Sequence, residues 1–92
     1  MTKTAMEILS ISQAALKEFK LDATSGQRAV QSARGLLNQA RIIARLDKRP
    51  DVVDFIEASN GYLDALEKAP AYSSAYAAGL ATLERRAGEL RD

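Results

Sequence analysis

Residues 25–49 read SGQRAVQSARGLLNQARIIARLDKR, and the two sides of this stretch decide the fold. Its apolar positions are Ala29, Val30, Ala33, Leu36, Leu37, Ala40, Ile43, Ala44 and Leu46. Steps of mostly three and four put them on one side of a helix, the side that faces a core. Gln27, Gln31, Arg34, Asn38, Arg41, Arg45 and Lys48 recur in alternating steps of four and three along the opposite side. No carboxylate occurs between Asp22 and Asp47. The stretch therefore predicts a helix with one face that other helices must cover and one cationic, amide-rich face that is a candidate contact surface.

The flanking sequence supplies the covering helices. Asp22, Thr24 and Ser25 interrupt the periodicity, and such residues favour caps over helix interiors. Thr24 with Gln27 has capping-box spacing and Ser25 is an equal candidate, so helix two is predicted to begin at Gly26 or just after it. It ends near Asp47, because Arg49 precedes Pro50 and is pushed out of the helical region. Gly35 inside it marks a close helix crossing, where a missing Cβ lets backbones approach. Helix three starts at Pro50, a favoured first helical position. Its buried stripe is Val52, Phe55, Ile56, Ser59, Leu63 and Leu66, widened by Val53. It is expected to continue, with a kink, through the turn-prone pair Asn60-Gly61.

Upstream, helix one spans about Ala5 to Lys20, with Thr4 and Glu7 at capping-box spacing. Its stripe is Ala5, Ile8, Leu9, Ser12, Leu16 and Phe19, widened by Met6 and Ile11. Helix four follows Pro70 to about Leu90, with Tyr72, Tyr76, Leu80, Leu83, Ala87 and Leu90 facing inward. Four helices on short loops imply an all-α, compact bundle with antiparallel neighbours, a single helical domain over residues 1–92. Seventeen alanines against eleven leucines and no tryptophan suit closely packed helices more than a sheet. Leu37 and Ile43 are both expected in the core.

The net charge of +1 conceals an internal asymmetry. Residues 23–49 carry six Lys and Arg against Asp47 alone, a balance of +5. Residues 50–68 carry Asp51, Asp54, Glu57, Asp64 and Glu67 against Lys68, a balance of −4. The absence of cysteine, of a signal-peptide pattern and of a long apolar run predicts a protein that stays in the cytoplasm and does not enter the membrane.

Catalytic chemistry has little to work with. The chain has no His and no Cys, which removes the commonest general base, the thiolate nucleophile and the usual metal ligands. Asp51, Asp54 and Glu57 fit a helix start and its solvated face, and lack the pattern of a calcium loop. The glycines are scattered rather than gathered into a phosphate loop. The expectation is a non-enzyme with no cofactor and no metal.

Two features remain. One is the basic stripe of Arg34, Arg41, Arg45 and Lys48, flanked by Arg28 and Arg49. It reads as a solvated face, as a face paired with the acidic helix three, or as a contact for phosphates or an acidic partner. The other is Tyr72 and Tyr76, one turn apart, which read as core or as interface anchors. No helix-turn-helix, zinc-finger or RNA-recognition signature appears, so base readout is not expected. A helical oligomerisation module, with charge faces pairing between copies, is a further alternative, as is a helical protein that tracks a nucleic-acid backbone.

The basic run Arg34–Arg49 and the lack of a catalytic set give the chain a resemblance to small bacteriophage proteins directed against host defence. It is most similar in size and character to anti-CRISPR proteins of type I-F surveillance complexes. The resemblance spans the whole chain. It implies a non-enzymatic inhibitor in the host cytoplasm that binds backbone or large subunits of the RNA-guided complex, with guide RNA as a further contact, and prevents target DNA binding. The residues nominated for partner binding are Arg28, Gln31, Arg34, Asn38, Arg41, Arg45, Lys48 and Arg49, with Tyr72 and Tyr76 as secondary candidates.

Overall fold

The computed structural model describes residues 3–68 and 74–90. They form α1 (Lys3–Leu21), α2 (Ala23–Leu46), α3 (Pro50–Lys68) and α4 (Ser74–Glu89), an all-α bundle. Neighbours run antiparallel: Arg34 meets Asp64 while Arg41 meets Glu57, and Phe19 near the end of α1 meets Tyr76 near the start of α4. The section is a rhombus. α1 and α3 touch across its short diagonal, and α2 and α4 lie at the far corners without touching each other.

Among the described residues Ser12 and Ser59 are the buried polar ones, and each hydroxyl donates to the carbonyl one turn earlier, Ile8 at 3.0 Å and Phe55 at 2.9 Å. Their polar atoms are thus satisfied within their own helices. Around them the expected stripes of α1 and α3 are buried, except that Met6 is 58% exposed, together with Val30, Ala33, Leu37 and Ala44 from α2, Tyr76, Leu83 and Ala87 from α4, and Leu90 just past its end. The radius of gyration, 12.7 Å, is close to the ~12 Å of a compact chain of this length.

Several local expectations are corrected. α2 begins at Ala23, because Asp22 and not Thr24 or Ser25 is its cap: the Asp22 carboxylate accepts from the Thr24 amide at 3.0 Å and the Ser25 hydroxyl at 3.1 Å. Asp22 alone, in extended backbone, separates α1 from α2. So tight a reversal presses the first turn of α2 onto the last turn of α1, and the close approach falls at Gly26, not Gly35. A Cβ on Gly26 would lie 2.5 Å from the Phe19 ring, whereas one on Gly35 meets nothing within 4 Å. α1 already includes Lys3, so Thr4 lies inside the first turn and does not cap at Ala5. As expected, α3 continues through Asn60-Gly61 as one helix. Pro70 and Tyr72 lie outside the described residues.

The far corner occupied by α2 has a larger consequence. Leu37 is buried as expected, but Leu36, Ile43 and Leu46 are 51%, 60% and 77% exposed, and Ile42 61%. With α4 out of reach, α1 and α3 cover only part of the wide apolar arc of α2. Ile43 therefore does not belong to the core.

The end of α2 is a Schellman-type cap. The Lys48 amide donates to the Arg45 carbonyl at 3.1 Å and the Arg49 amide to the Ala44 carbonyl at 2.9 Å. Lys48 occupies the left-handed conformation, φ 55°, that glycine usually fills there.

Candidate functional site

The eight nominated residues of α2 and its C-terminal turn divide into two groups. Arg34 and Arg41 point toward α3. Arg34 pairs with Asp64 and reaches Glu67 at 3.5 Å, and Arg41 pairs with Glu57 at 2.8 Å. Burial lowers the Arg34 guanidinium's pKa, but the Asp64 hydrogen bond and the Glu67 and Asp64 charges outweigh it and raise the value. Arg41 also donates to the Asn38 side-chain carbonyl at 3.0 Å. Arg49 grips Asp51 with two bonds, at 3.0 and 3.1 Å, and its hydrogen bond is the main reason the Asp51 carboxyl is held below the usual carboxylate value. The pairing with the acidic helix, one of three readings of the basic stripe, thus takes up Arg34 and Arg41. Glu57 and Asp64 are partners in it rather than a merely solvated face.

The other group stays on the outside. Arg28, Gln31, Asn38, Arg45 and Lys48 are all exposed, and among the described residues no ion pair engages Arg28, Arg45 or Lys48. Successive steps of three and seven residues align Arg28, Gln31, Asn38 and Arg45 in one ridge, with Lys48 just past its end. Amides stand in the middle and cations at both ends. From Arg28 to Arg45 the ridge runs ~25 Å at 1.5 Å per residue. It can offer forked guanidinium and amide donors to carboxylates or phosphates.

Beside the ridge lies an apolar surface, of which the sequence reading assigns Leu36, Ile43 and Leu46 to the core. Ile42, Ile43 and Leu46 are helical neighbours, and Leu36 lies two turns before Ile43. Next to them an open groove of about 680 Å³ separates α2 from α1, lined by Ile8, Ile11, Ala40 and Ile43 among others. No periodicity argument could have found this surface, since burial depends on which neighbours reach the arc.

For Tyr76 the structure takes the core side of the expectation, not the interface side. Tyr76 is core: it is 3% exposed, its ring centroid lies 6.4 Å from that of Phe19, and its hydroxyl donates to the Leu66 carbonyl at 3.4 Å. Tyr72 lies outside the described residues. Tyr62, absent from the predicted stripe, is buried with a hydroxyl that finds no hydrogen-bond partner among the described residues. Desolvation, with a smaller contribution from Tyr76, pushes its pKa up to about 12. Its ring lies where a Cβ on Gly79 would be, at 2.6 Å.

Among the described residues no cluster of acidic side chains could hold a metal ion, and no helix is long and apolar enough to cross a membrane. Comparison with protein-family models, curated proteins and solved structures finds no match.

Proposed function

We propose that this protein is a non-enzymatic binder that occupies an acidic surface of a larger assembly with the outer ridge of α2. The observation that carries the reading is the division of the basic stripe. Arg34 and Arg41 are engaged by α3, while Arg28, Arg45 and Lys48 stand exposed on a line with Gln31 and Asn38. Exposed cations without a carboxylate beside them raise association rates with acidic partners and set orientation. The resemblance described above supplies the specific form: a phage-encoded inhibitor that covers a subunit of a type I CRISPR RNA-guided complex and blocks target DNA binding.

The test uses a purified type I-F surveillance complex and a labelled target duplex. The wild-type protein is expected to prevent duplex binding. Arg45→Glu with Lys48→Glu is expected to lose that effect while keeping its circular dichroism spectrum. A wild-type protein that leaves duplex binding untouched would remove the CRISPR form of the reading. Full inhibition by the double variant would remove the ridge. Bare duplex DNA provides the control for a phosphate-tracking role. Three free cations neutralise about three phosphates at most, giving a log–log salt slope no steeper than roughly −2.7.

A further inference from the structure

We infer that α2 pairs with α2 of a second copy of this chain, antiparallel, through the seam Leu36, Gln39, Ile43 and Leu46. These positions step by three, four and three, the a–d spacing that keeps a seam facing a partner helix. The bundle's own core uses a different face of α2, where Val30, Leu37 and Ala44 are buried. The seam is therefore additional to the core. It stands open because α2 does not reach α4.

Charge selects the occupant. Arg34 and Arg41 are turned to α3, the free cations stand beside the seam, and no charged residue lies in it. The seam itself offers no charged group to a phosphate chain or an acidic peptide, and the groove beside it carries Lys3 and Arg49 balanced by Glu7 and Asp47. A second copy meets little long-range repulsion, since the chain's net charge is +1. A two-fold interface must also be self-complementary, and this seam is. A two-fold near residue 41 lays Leu36 on Leu46 of the second copy and Ile43 on Gln39. Ile42 falls beside the axis. The two Gln39 side chains lie ~6 Å apart along it, within reach of each other's amides, and a polar seam residue of this kind fixes register. The antiparallel arrangement also separates the two Arg45 residues by ~12 Å along the axis, where a parallel one would set them abreast. The open groove beside Ile43 leaves room for the second helix.

Leu36, Ile42, Ile43 and Leu46, each more than half exposed, make an apolar patch of a few hundred Å², large enough to mark an interaction site. It is small against the ~800 Å² per partner of a standard interface. The dimer is therefore weak and reversible, with a Kd of about 1–100 µM. It does not rest on the proposed function. In it the Ile42 sides of both copies meet, which brings the two cationic ridges onto one side of the assembly.

Sedimentation equilibrium between about 0.3 µM and 1 mM tests the pairing, a range that brackets the expected Kd. The wild type is expected to fit a monomer–dimer equilibrium. Ile43→Glu with Leu46→Glu is expected to weaken it at least 100-fold without changing the dichroism spectrum. Orientation is read by air oxidation of an equimolar mixture of Leu36→Cys and Leu46→Cys, in a chain that has no cysteine of its own. The mixed disulfide is expected. A wild type that stays monomeric throughout, or a charged variant that still dimerises fully, overturns the inference. Predominance of the two homodimeric disulfides overturns the antiparallel arrangement.

Discussion

At the scale of single residues, two glycines of α2 sit in opposite surroundings. A Cβ on Gly26 would come within 2.5–2.8 Å of Phe19 ring and backbone atoms. The backbone contact cannot be relieved by rotating a side chain. Gly26→Ala is expected to cost about 1–3 kcal/mol, as overpacking does. Gly35 meets nothing, so Gly35→Ala should add up to about 1 kcal/mol from helix propensity alone. Urea unfolding monitored by circular dichroism reads both, and a shift of the same sign in the two variants would contradict these surroundings. Tyr62 gives a pH-dependent test. Its pKa is about 12 in the folded chain against 10.0 for the free side chain. Between those values the folded state binds more protons than the unfolded state, so stability falls as pH rises. Tyr62→Phe should flatten that decline. At neutral pH it should be neutral or stabilising, because it removes a buried hydroxyl that has no hydrogen-bond partner among the described residues. Melting curves at pH 8 and above follow the difference.

At the scale of the element, α2 shows what periodicity can and cannot tell. Its existence, its end near Asp47 and the burial of Val30, Ala33, Leu37 and Ala44 were legible from spacing. Its apolar residues, however, span an arc wider than two neighbouring helices cover, and spacing does not say which edge stays open. Leu37 and Ile43 lie on the same predicted stripe yet are 1% and 60% exposed. Leu37→Ala is therefore expected to cost about 2–5 kcal/mol. Ile43→Ala should change stability by no more than about 0.5 kcal/mol. Thermal denaturation of a dilute sample separates them, and equal losses would put Ile43 back in the core. Tyr62 was missed for the converse reason. It sits at the margin of the α3 stripe and is buried because Gly79 on α4 leaves space for its ring, a pairing no single helix reveals. The start of α2 was misplaced because three cap-forming residues compete there, and Asp22 alone satisfies both Thr24 and Ser25. The end of α2 carries its own test. Lys48 holds a left-handed conformation, φ 55°, at a cost that glycine does not incur. Lys48→Gly should raise stability by about 1 kcal/mol or slightly less, offset in part by the greater freedom of glycine in the unfolded chain. A loss of stability would mean that the side chain contributes more than its backbone costs.

At the scale of the whole molecule, the asymmetry of charge becomes a matter of register. Residues 34 and 41 on α2 are seven apart, and so are 57 and 64 on α3. Both pairings, Arg34 with Asp64 and Arg41 with Glu57, follow from folding the chain back on itself about the turn near Arg49. The partners were therefore legible once an antiparallel hairpin was assumed. The sequence left open whether these arginines serve the fold or a partner, because a cation seven residues from the next is equally placed for either. Their half-exposed setting limits what they contribute: an exposed pair is typically worth 0.2–1 kcal/mol. Specificity of alignment is the larger effect, since a one-turn slip toward the end of α3 would set Arg41 against Asn60 or Gly61. Arg41→Glu is expected to destabilise by about 1 kcal/mol, from the lost pair and the new repulsion against Glu57. Arg41→Glu with Glu57→Arg should recover most of it, and salt should shrink both effects. Arg45→Glu, which breaks no pair, should leave the melting temperature unchanged. A swapped pair that recovers nothing would mean that the apolar stripe alone holds α2 and α3 in register. Arg34 and Arg41 would then rejoin Arg28, Arg45 and Lys48 as part of one contact surface.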